Sequence, residues 1–524
     1  MVRGHLTRRG LGLAAGATIL VGASGARARD RRLVVAQTRS GPVRLSLDGL
    51  VLSSKGIRYG ADTTGRRFQP PVPPAPWINI LDATDYGPAS PQRGDERNQS
   101  EDCLRLNVWT PEVHAGRRPV IVYIHGGAYA TGSGSSPLTN GSRLAFRGDV
   151  VVVSVNHRLG ALGYASLTRL APGFEDSGSL GQLDLVLALQ WVRDNIAAFG
   201  GDPGCVTVVG QSGGGAKIAT LMAMPAAAGL FHRAVTMSGQ QVTASGPLNA
   251  TRRAEIWLEA LGLTPDRIED VRTMPVERLI EASAAIDPIL GGSLYFGPVL
   301  DGRSLTRHPF WPDAAPQSAS IPMMIGNTRE ETLAFLGNDP ANAGLSWDAL
   351  PARLTPSQMR IDVAPEDVVA WYRREHPEMS PDQVLIRATT AARSWRAAVI
   401  EAEMRAAQGS PAFVYQLDWA SRLPNGRTGA FHTSDIPLML DNVAAEGSGA
   451  AGPDAQAMAD RMTDALLAFA RSGDPNHAGL PRWTPYSLER RETMVMDQPP
   501  RMENDPRGDE RRFFGRIPYI QPGT

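Results

Sequence analysis

Residues 206–215 constrain the fold of this chain more than any other stretch. A run rich in β-branched residues leads into the pattern Gly-x-Ser-x-Gly, with Ser212 at its centre, and helix-forming residues continue to Met224. This order predicts a strand, a sharp turn and a helix, with the serine at the apex of the turn. Side chains in place of the two glycines would collide across so tight a turn. The context therefore predicts a nucleophile elbow, whereas the bare pattern is equally compatible with an ordinary glycine-rich turn.

Apolar runs on both sides of this stretch indicate the rest of the sheet. Continuous apolar runs suit strands that are buried on both faces, as in a parallel sheet covered by helices. Longer helical and more polar stretches lie between them, near 250–290 and 340–408. The pattern predicts one α/β domain over residues 29–524, with a large, mostly parallel central sheet flanked by helices and with helical insertions over the active site. The apolar runs lie at residues 119–124, 150–155, 206–209, 234–237, 321–325 and 412–417.

The first 28 residues have the features of an export signal. Arg8 and Arg9 precede a short stretch rich in alanine, glycine and leucine, and Ala26-Arg27-Ala28 matches an A-x-A cleavage site. The paired arginines resemble a twin-arginine signal. The apolar stretch is too short for a membrane anchor, and no later segment is long enough to span a bilayer. We therefore expect residues 1–28 to be a signal peptide, and the mature protein to be soluble and either periplasmic or secreted.

Charge and cysteine content exclude several classes of protein. The 524 residues include 53 Lys+Arg and 53 Asp+Glu, so the net charge is zero and no overall field would attract nucleic acid or a membrane surface. Cys103 and Cys205 are too few for a disulfide framework, and the sequence leaves open whether they bridge each other. A globular enzyme that acts on a small molecule fits this composition, which leaves the oligomeric state open. We expect a monomer.

The predicted serine nucleophile needs a neighbouring base, usually a histidine that is held by a buried carboxylate. In sheets with a nucleophile elbow the order is serine, acid, histidine, which leaves His376, His432 and His477. His376 lies in a charged stretch and His477 in a turn cluster, so both are expected at the surface. His432 lies in a loop beyond the run at 412–417, on the side of such sheets where catalytic side chains gather. His432 is therefore the predicted base.

The acid should follow an earlier strand in the same way. The run at 321–325 leads to Glu330 and Glu331, and both are candidates. Adjacent residues cannot both aim at one imidazole, so the other glutamate is expected at the surface or in a salt bridge. Asp301 is a competing acid, although its Leu-Asp-Gly context is also that of a turn. The residues alone leave these alternatives open.

A glycine loop directly after the run at 119–124 offers an oxyanion site. His125-Gly126-Gly127-Ala128 can present backbone N–H groups to developing negative charge, together with the N–H of Gly213 after the serine. Phosphate binding is the rival interpretation, but residues 210–217 match neither a Walker A nor a Gly-x-Gly-x-x-Gly pattern. Neither His-Glu-x-x-His nor a Cys/His metal spacing occurs in the sequence. We therefore expect no cofactor and no metal.

A set of collinear motifs covers most of the mature chain: Arg67-Phe68-Gln69-Pro70-Pro71, the stretch at 100–109, His125-Gly126-Gly127-Ala128, Asn156-His157-Arg158-Leu159-Gly160, Phe199-Gly200-Gly201-Asp202-Pro203, the elbow, the stretch at 296–302, and Ser472-Gly473-Asp474-Pro475-Asn476. Together they resemble the type B carboxylesterase family, a branch of the α/β hydrolases that includes bacterial para-nitrobenzyl esterases. The resemblance implies the α/β-hydrolase fold and the hydrolysis of carboxylic esters.

The resemblance also assigns residues. It implies that the acid is Glu331 and that Asp301 belongs to a structural turn. His432 matches the family's histidine. The residues that match the family's oxyanion donors are Gly127, Ala128 and Gly213.

Three positions depart from the family pattern. The residue before the nucleophile is usually glutamate in the family and is Gln211 here, so a buried charge is missing. Ser90 replaces the family's cysteine, so Cys103 lacks its usual partner. The loop at 88–100 is short and contains no tryptophan, which argues against a choline ester held by cation–π contact.

The resulting hypothesis is an exported serine hydrolase that cleaves small carboxylic esters through a Ser212–His432–Glu331 triad and an acyl-enzyme intermediate. An amidase, a thioesterase or a transacylase would use the same triad. A non-catalytic binding protein on the same scaffold is a further alternative, although such proteins commonly lack a triad residue and all three are present here.

Overall fold

The computed structural model describes residues 34–113, 116–450 and 452–521. The predicted signal peptide, residues 1–28, lies outside these ranges. The strands are β1 Val34–Gln37, β2 Pro42–Asp48, β3 Val51–Arg58, β4 Arg105–Thr110, β5 Arg118–Ile124, β6 Val151–Val155, β7 Gly201–Gln211, β8 Arg233–Met237, β9 Met323–Thr328, β10 Ala412–Leu417, β11 Ser421–Arg422, β12 Thr428–Gly429, β13 Glu492–Met496 and β14 Arg501–Asn504.

Within the described ranges, twelve strands join in one sheet in the order β1-β2-β3-β4-β6-β5-β7-β8-β9-β10-β13-β14. The central strands, from β6 to β13 in that order, run parallel, and antiparallel strands extend both edges. Most of the parallel strands match the apolar runs in the sequence, because both faces of these strands are covered by helices. The prediction of a large, mostly parallel sheet is confirmed.

The helices are α1 Ser142–Gly148, α2 Gly160–Tyr164, α3 Leu180–Asn195, α4 Gly213–Leu221, α5 Pro247–Ala260, α6 Val276–Ala282, α7 Leu333–Leu336, α8 Pro356–Met359, α9 Pro365–Glu375, α10 Pro381–Thr390, α11 Arg396–Ala407, α12 Ile436–Met439, α13 Ala455–Ser472 and α14 Gly508–Phe514. In the part of the chain that the structure describes, none of them is long and apolar enough to cross a membrane.

The sheet separates two hydrophobic cores. Val122 of β5 packs into the core that includes α3, α4 and α11, whereas its neighbour Tyr123 packs into the core that includes α1 and α13. This alternation follows from the two-residue period of a strand. Helices therefore flank both faces, as the sequence pattern predicts.

Two helical insertions lie beyond the carboxyl ends of the parallel strands. The segment between β8 and β9 contains α5 and α6, which form a separate core around Trp257 and Leu279. The segment between β9 and β10 contains α7 to α11, and part of it packs around Tyr372 and Val384. The two insertions correspond to the polar helical stretches of the sequence.

Candidate active site

Ser212 occupies a sharp turn between β7 and α4. Its backbone has φ +56° and ψ −128°, a strained conformation for a residue with a side chain. The glycines of the motif are required by close contacts: a Cβ at Gly214 would overlap with the carbonyl oxygen of Ile124, and a Cβ at Gly210 would overlap with the backbone of Gly214. The hydrogen bond from the N–H of Ser212 to the carbonyl of Met237 holds the turn at the carboxyl edge of the sheet. The local geometry is that of a nucleophile elbow.

His432 and Glu331 form a direct pair in the same region. Nδ1 of His432 lies 2.5 Å from Oε2 of Glu331. The other carboxylate oxygen accepts hydrogen bonds from the N–H of Thr328 at 2.8 Å and from the amide of Asn327 at 3.1 Å. Burial opposes ionisation of Glu331, but the neighbouring imidazole and the hydrogen bond from the N–H of Thr328 lower its pKa. A carboxylate at Nδ1 leaves Nε2 of the neutral ring as a proton acceptor.

Ser212 lines the same cavity as the His432–Glu331 pair. Within the described residues its hydroxyl makes no hydrogen bond to the ring, and catalytic hydrogen bonds in substrate-free enzymes are often long. Nε2 of Gln211 lies 3.3 Å from Nε2 and 3.5 Å from Nδ1 of His432. Such similar distances to both nitrogens place the amide of Gln211 against the face of the ring, where an N–H group interacts with the π system.

The predicted oxyanion loop lies beside the elbow. Gly127 and Ala128 have φ of +78° and +53°, and Ala128 and Gly213 line the cavity with Ser212. A Cβ at Gly213 would overlap with the carbonyl of Ala128, which shows how closely the loop approaches the start of α4. Backbone N–H groups at a helix start suit a developing negative charge.

The other predicted candidates lie elsewhere. Oδ1 of Asp301 accepts hydrogen bonds from the N–H groups of Arg303 and Leu305, both at 2.9 Å, which is a turn role. The half-buried carboxylate of Glu330 accepts a hydrogen bond from the N–H of Ala430, in place of the expected surface or salt-bridge position.

His376 lies 2.9 Å from the carboxylate of Asp509, and His477 contacts the carbonyl of Arg461. Cys103 and Cys205 are both free thiols. Among the described residues, no group of three His, Cys, Asp or Glu side chains could hold a metal ion.

Lys217 is a site residue that the sequence analysis does not identify. It is fully buried in α4, and its Nζ donates hydrogen bonds to the carbonyls of Ala128 at 2.9 Å and His125 at 3.1 Å. Burial lowers the pKa of Lys217 to about 7. The available signal is a lysine on an otherwise apolar helix, in a sequence whose only other lysine is Lys55. Lys217 therefore connects the helix after the nucleophile to the oxyanion loop.

Asp435 is a second residue near the predicted triad that the sequence analysis does not identify. It is fully buried, and Oη of Tyr415 donates a hydrogen bond to its Oδ2 at 2.8 Å. Burial and the charge of Glu331 raise the pKa of Asp435 to about 7. A second acid thus lies behind the His432–Glu331 pair. The signal in the sequence is its position three residues after His432.

The sheet order, the elbow at the carboxyl end of β7, and the acid and histidine after later parallel strands define an α/β-hydrolase. Residues 37–514 match the carboxylesterase family. The chain therefore belongs to the carboxylesterase family, and it is a carboxylic-ester hydrolase.

Individual relatives agree with this assignment. The para-nitrobenzyl esterase of Bacillus subtilis (strain 168) is 34% identical over 500 residues, which cover 91% of this chain and 98% of the relative. The phenmedipham hydrolase of Pseudarthrobacter oxydans is 32% identical over 479 residues, covering 87% and 93% of the two chains. The crystal structure of the carboxylesterase EST55 of Geobacillus stearothermophilus at pH 6.2 has a TM-score of 0.83 and 35% identity, covering 92% of this chain and 99% of its own.

Proposed function

We propose that the chain hydrolyses carboxylic esters through a triad in which Ser212 is the nucleophile, His432 the general base and Glu331 the residue that orients the imidazole. The observation that carries this proposal is the 2.5 Å contact between His432 and Glu331 in the cavity that the strained Ser212 also lines. The N–H groups of Gly127, Ala128 and Gly213 are the proposed oxyanion donors.

In this mechanism Oγ of Ser212 attacks the ester carbonyl carbon while Nε2 of His432 takes its proton. The imidazolium is stabilised by the carboxylate of Glu331. Collapse of the tetrahedral intermediate breaks the bond to the alcohol, which leaves with the proton from His432. Water then attacks the acyl-enzyme with the same base, releasing the acid and restoring the hydroxyl of Ser212.

The test uses purified mature protein with 4-nitrophenyl esters of short and long acyl chains and with matched 4-nitroanilides. Ser212→Ala should abolish ester turnover, and Glu331→Gln should lower kcat about 10⁴-fold because the tautomer of His432 is no longer fixed. His477→Gln, which changes a histidine far from the cavity, should keep wild-type rates. A fully active Ser212→Ala variant would refute the triad. Faster cleavage of anilides than of esters would instead favour an amidase on the same residues.

We also propose that residues 1–28 direct export, so that a single domain of residues 29–524 acts in the periplasm or outside the cell. The support is the order of paired arginines, a short apolar stretch and an A-x-A site. In a host with a twin-arginine pathway, replacing both Arg8 and Arg9 with lysine should retain the full-length protein in the cytoplasm. Mature protein outside the cytoplasm despite that change would refute the twin-arginine route.

A further inference from the structure

Two arginines line the same cavity as Ser212 and belong to the insertion between β9 and β10. Arg360 directly follows α8, and it adopts φ +58°, a left-handed conformation that is uncommon for a residue with a side chain. Arg393 lies on the π-helical turn Ala391–Trp395 between α10 and α11. The fold therefore accepts local strain at Arg360 at a position where its side chain reaches the cavity.

Neither arginine has an acidic partner within the described ranges. Nε and Nη1 of Arg360 are buried and donate no hydrogen bond, and the guanidinium of Arg393 lies 5.4 Å from the ring centroid of Phe335. Arg360 and Arg393 are half-buried. Two fully buried arginines elsewhere are paired with acids, Arg158 with Asp184 and Arg253 with Asp287, both at 2.6 Å. The fully buried Arg405 instead donates hydrogen bonds to the carbonyls of Ser318 and Ile321. Removing a charge from water without a partner is costly, so two half-buried cations without an acidic partner in the candidate active-site cavity indicate that a ligand supplies the anion.

The surroundings of the two arginines reinforce this electrostatic picture. Burial lowers the pKa of Arg360, and the charge of Arg393 lowers it further. Tyr295 and Tyr519 line the same cavity, and burial raises the pKa of Tyr295 to about 12, so its hydroxyl is a neutral hydrogen-bond donor. The nearby Asp287 is already paired with Arg253, and Glu331 is paired with His432. This end of the cavity therefore carries a net positive charge.

We propose, on the basis of the proposed ester hydrolysis, that the substrate is an ester that carries a free carboxylate, and that Arg360 and Arg393 bind this carboxylate while Ser212 attacks the ester carbonyl. The planar guanidinium matches the two oxygens of a carboxylate. The cavity volume of about 150 Å³ is comparable to that of a cavity that binds benzene, which suits a short aliphatic or single-ring group. Hydrolysis leaves the second carboxylate unchanged, so that a half-ester of a dicarboxylic acid yields the dicarboxylate and the alcohol.

The test compares matched anionic and neutral esters in two arms. In the acyl arm, mono-4-nitrophenyl glutarate is compared with 4-nitrophenyl 4-carbamoylbutanoate, which replaces the carboxylate by an amide. In the alcohol arm, 3-acetoxybenzoate is compared with 3-acetoxybenzamide. Wild-type protein should favour the carboxylate at least about tenfold in kcat/KM in one arm, which also shows whether the arginines face the acyl or the alcohol part. The preference should fall as salt is added.

Arg360→Gln and Arg393→Gln should each reduce the ratio of anionic to neutral kcat/KM towards one. Arg396→Gln is the matched control and should keep the wild-type ratio. Arg396 is the first residue of α11, is half-buried and does not line the cavity. Thermal unfolding of every variant separates a lost binding site from a lost fold. If either substitution prevents folding, inhibition of neutral-ester hydrolysis by glutarate in the wild-type protein measures whether the cavity binds a carboxylate.

The outcomes separate failure of the carboxylate inference from failure of the proposed ester hydrolysis. Hydrolysis of the neutral esters by the wild type without a carboxylate preference in either arm would overturn this inference and leave the triad intact. A carboxylate preference that survives both arginine substitutions would also overturn it. Failure to cleave any ester, with Ser212→Ala indistinguishable from the wild type, would instead refute the proposed function.

Discussion

Replacing Lys217 with methionine tests whether a buried amine holds the proposed oxyanion loop. The change keeps the length of an apolar side chain and removes the ammonium that donates to the carbonyls of His125 and Ala128. Two of the three proposed oxyanion donors, Gly127 and Ala128, belong to the loop that these hydrogen bonds fix. We therefore expect a loss in catalysis that exceeds the loss in stability.

The expected change in stability is small because two contributions oppose each other. Lowering the pKa of Lys217 from 10.5 to about 7 corresponds to a burial cost on the order of 5 kcal/mol, which the methionine relieves. At pH 7, where the amine is about half protonated, its hydrogen bonds contribute on the order of 1.5–3 kcal/mol each, and two of them are lost. The sum is close to zero, so Tm should change by only a few degrees.

The expected change in kcat is large, because misplacing one oxyanion donor typically costs about 10²–10³ in rate. We expect Lys217→Met to lower kcat for 4-nitrophenyl butyrate about 100-fold, with KM changed by less than about threefold. Lys55→Met is the control, because Lys55 pairs with Asp48 at 2.9 Å and does not line the cavity. Retention of more than about a third of the wild-type kcat by a folded Lys217→Met variant would refute the role of Lys217.

The pH dependence of stability provides a second readout. Between pH 7 and 10 the unfolded chain keeps a proton on Lys217 that the folded protein has lost, because burial lowers the pKa of this lysine to about 7. Unfolding is therefore coupled to proton uptake, and the free energy of unfolding of the wild type should rise with pH relative to that of Lys217→Met. If the free energy of unfolding of the wild type, relative to that of Lys217→Met, stays constant or falls between pH 7 and 10, Lys217 does not have the lowered pKa of a buried amine.

Two further substitutions follow from the same contacts. Gln211→Glu should move the acidic limb of the pH profile of kcat/KM for a neutral ester to higher pH by about one unit. The reason is that a carboxylate against the ring of His432 favours the protonated imidazole. An acidic limb at the wild-type pH would contradict this. Glu510→Gln should destabilise the protein by about 3 kcal/mol at pH 7, because it removes the buried partner of Arg507 and Arg387. Those two arginines outweigh burial and lower the pKa of Glu510 to about 2, so this stability is present above pH 4.5 and lost as pH falls towards 2. Urea unfolding at pH 7 and pH 3 should therefore show a smaller difference at pH 3.

Local sequence patterns suffice to predict the elbow and most of the parallel strands. The run at 206–209 leads into the turn at Ser212, and the steric need for Gly210 and Gly214 follows from the tightness of that turn alone. The start of β7 is less predictable. It begins at Gly201, before the apolar run, because Gly201 pairs with Arg118 across a register shift that only the folded sheet defines.

The partners of the serine are predictable only in part. The order of strand ends selects His432 as the predicted base and limits the predicted acid to a few residues, but the direction of each side chain depends on packing that periodicity does not encode. Lys217 contacts the loop at Ala128, about 90 positions earlier in the chain, and no local sequence pattern predicts that contact. Arg360 depends on a four-residue helix that ends in a left-handed conformation, which no hydrophobic pattern predicts.

Gln211 and the arginines of the cavity have a common electrostatic consequence. A glutamate at position 211 would add a negative charge against His432, beside the carboxylate of Glu331, and would repel a second carboxylate on the substrate. The neutral amide avoids that repulsion, and the raised pKa of Asp435 keeps a further negative charge from forming readily behind the pair. The side of the cavity that carries Arg360 and Arg393 then attracts an anion with little opposition from the proposed catalytic residues. The proposed anionic ester therefore accounts for both the neutral Gln211 and the two arginines without acidic partners.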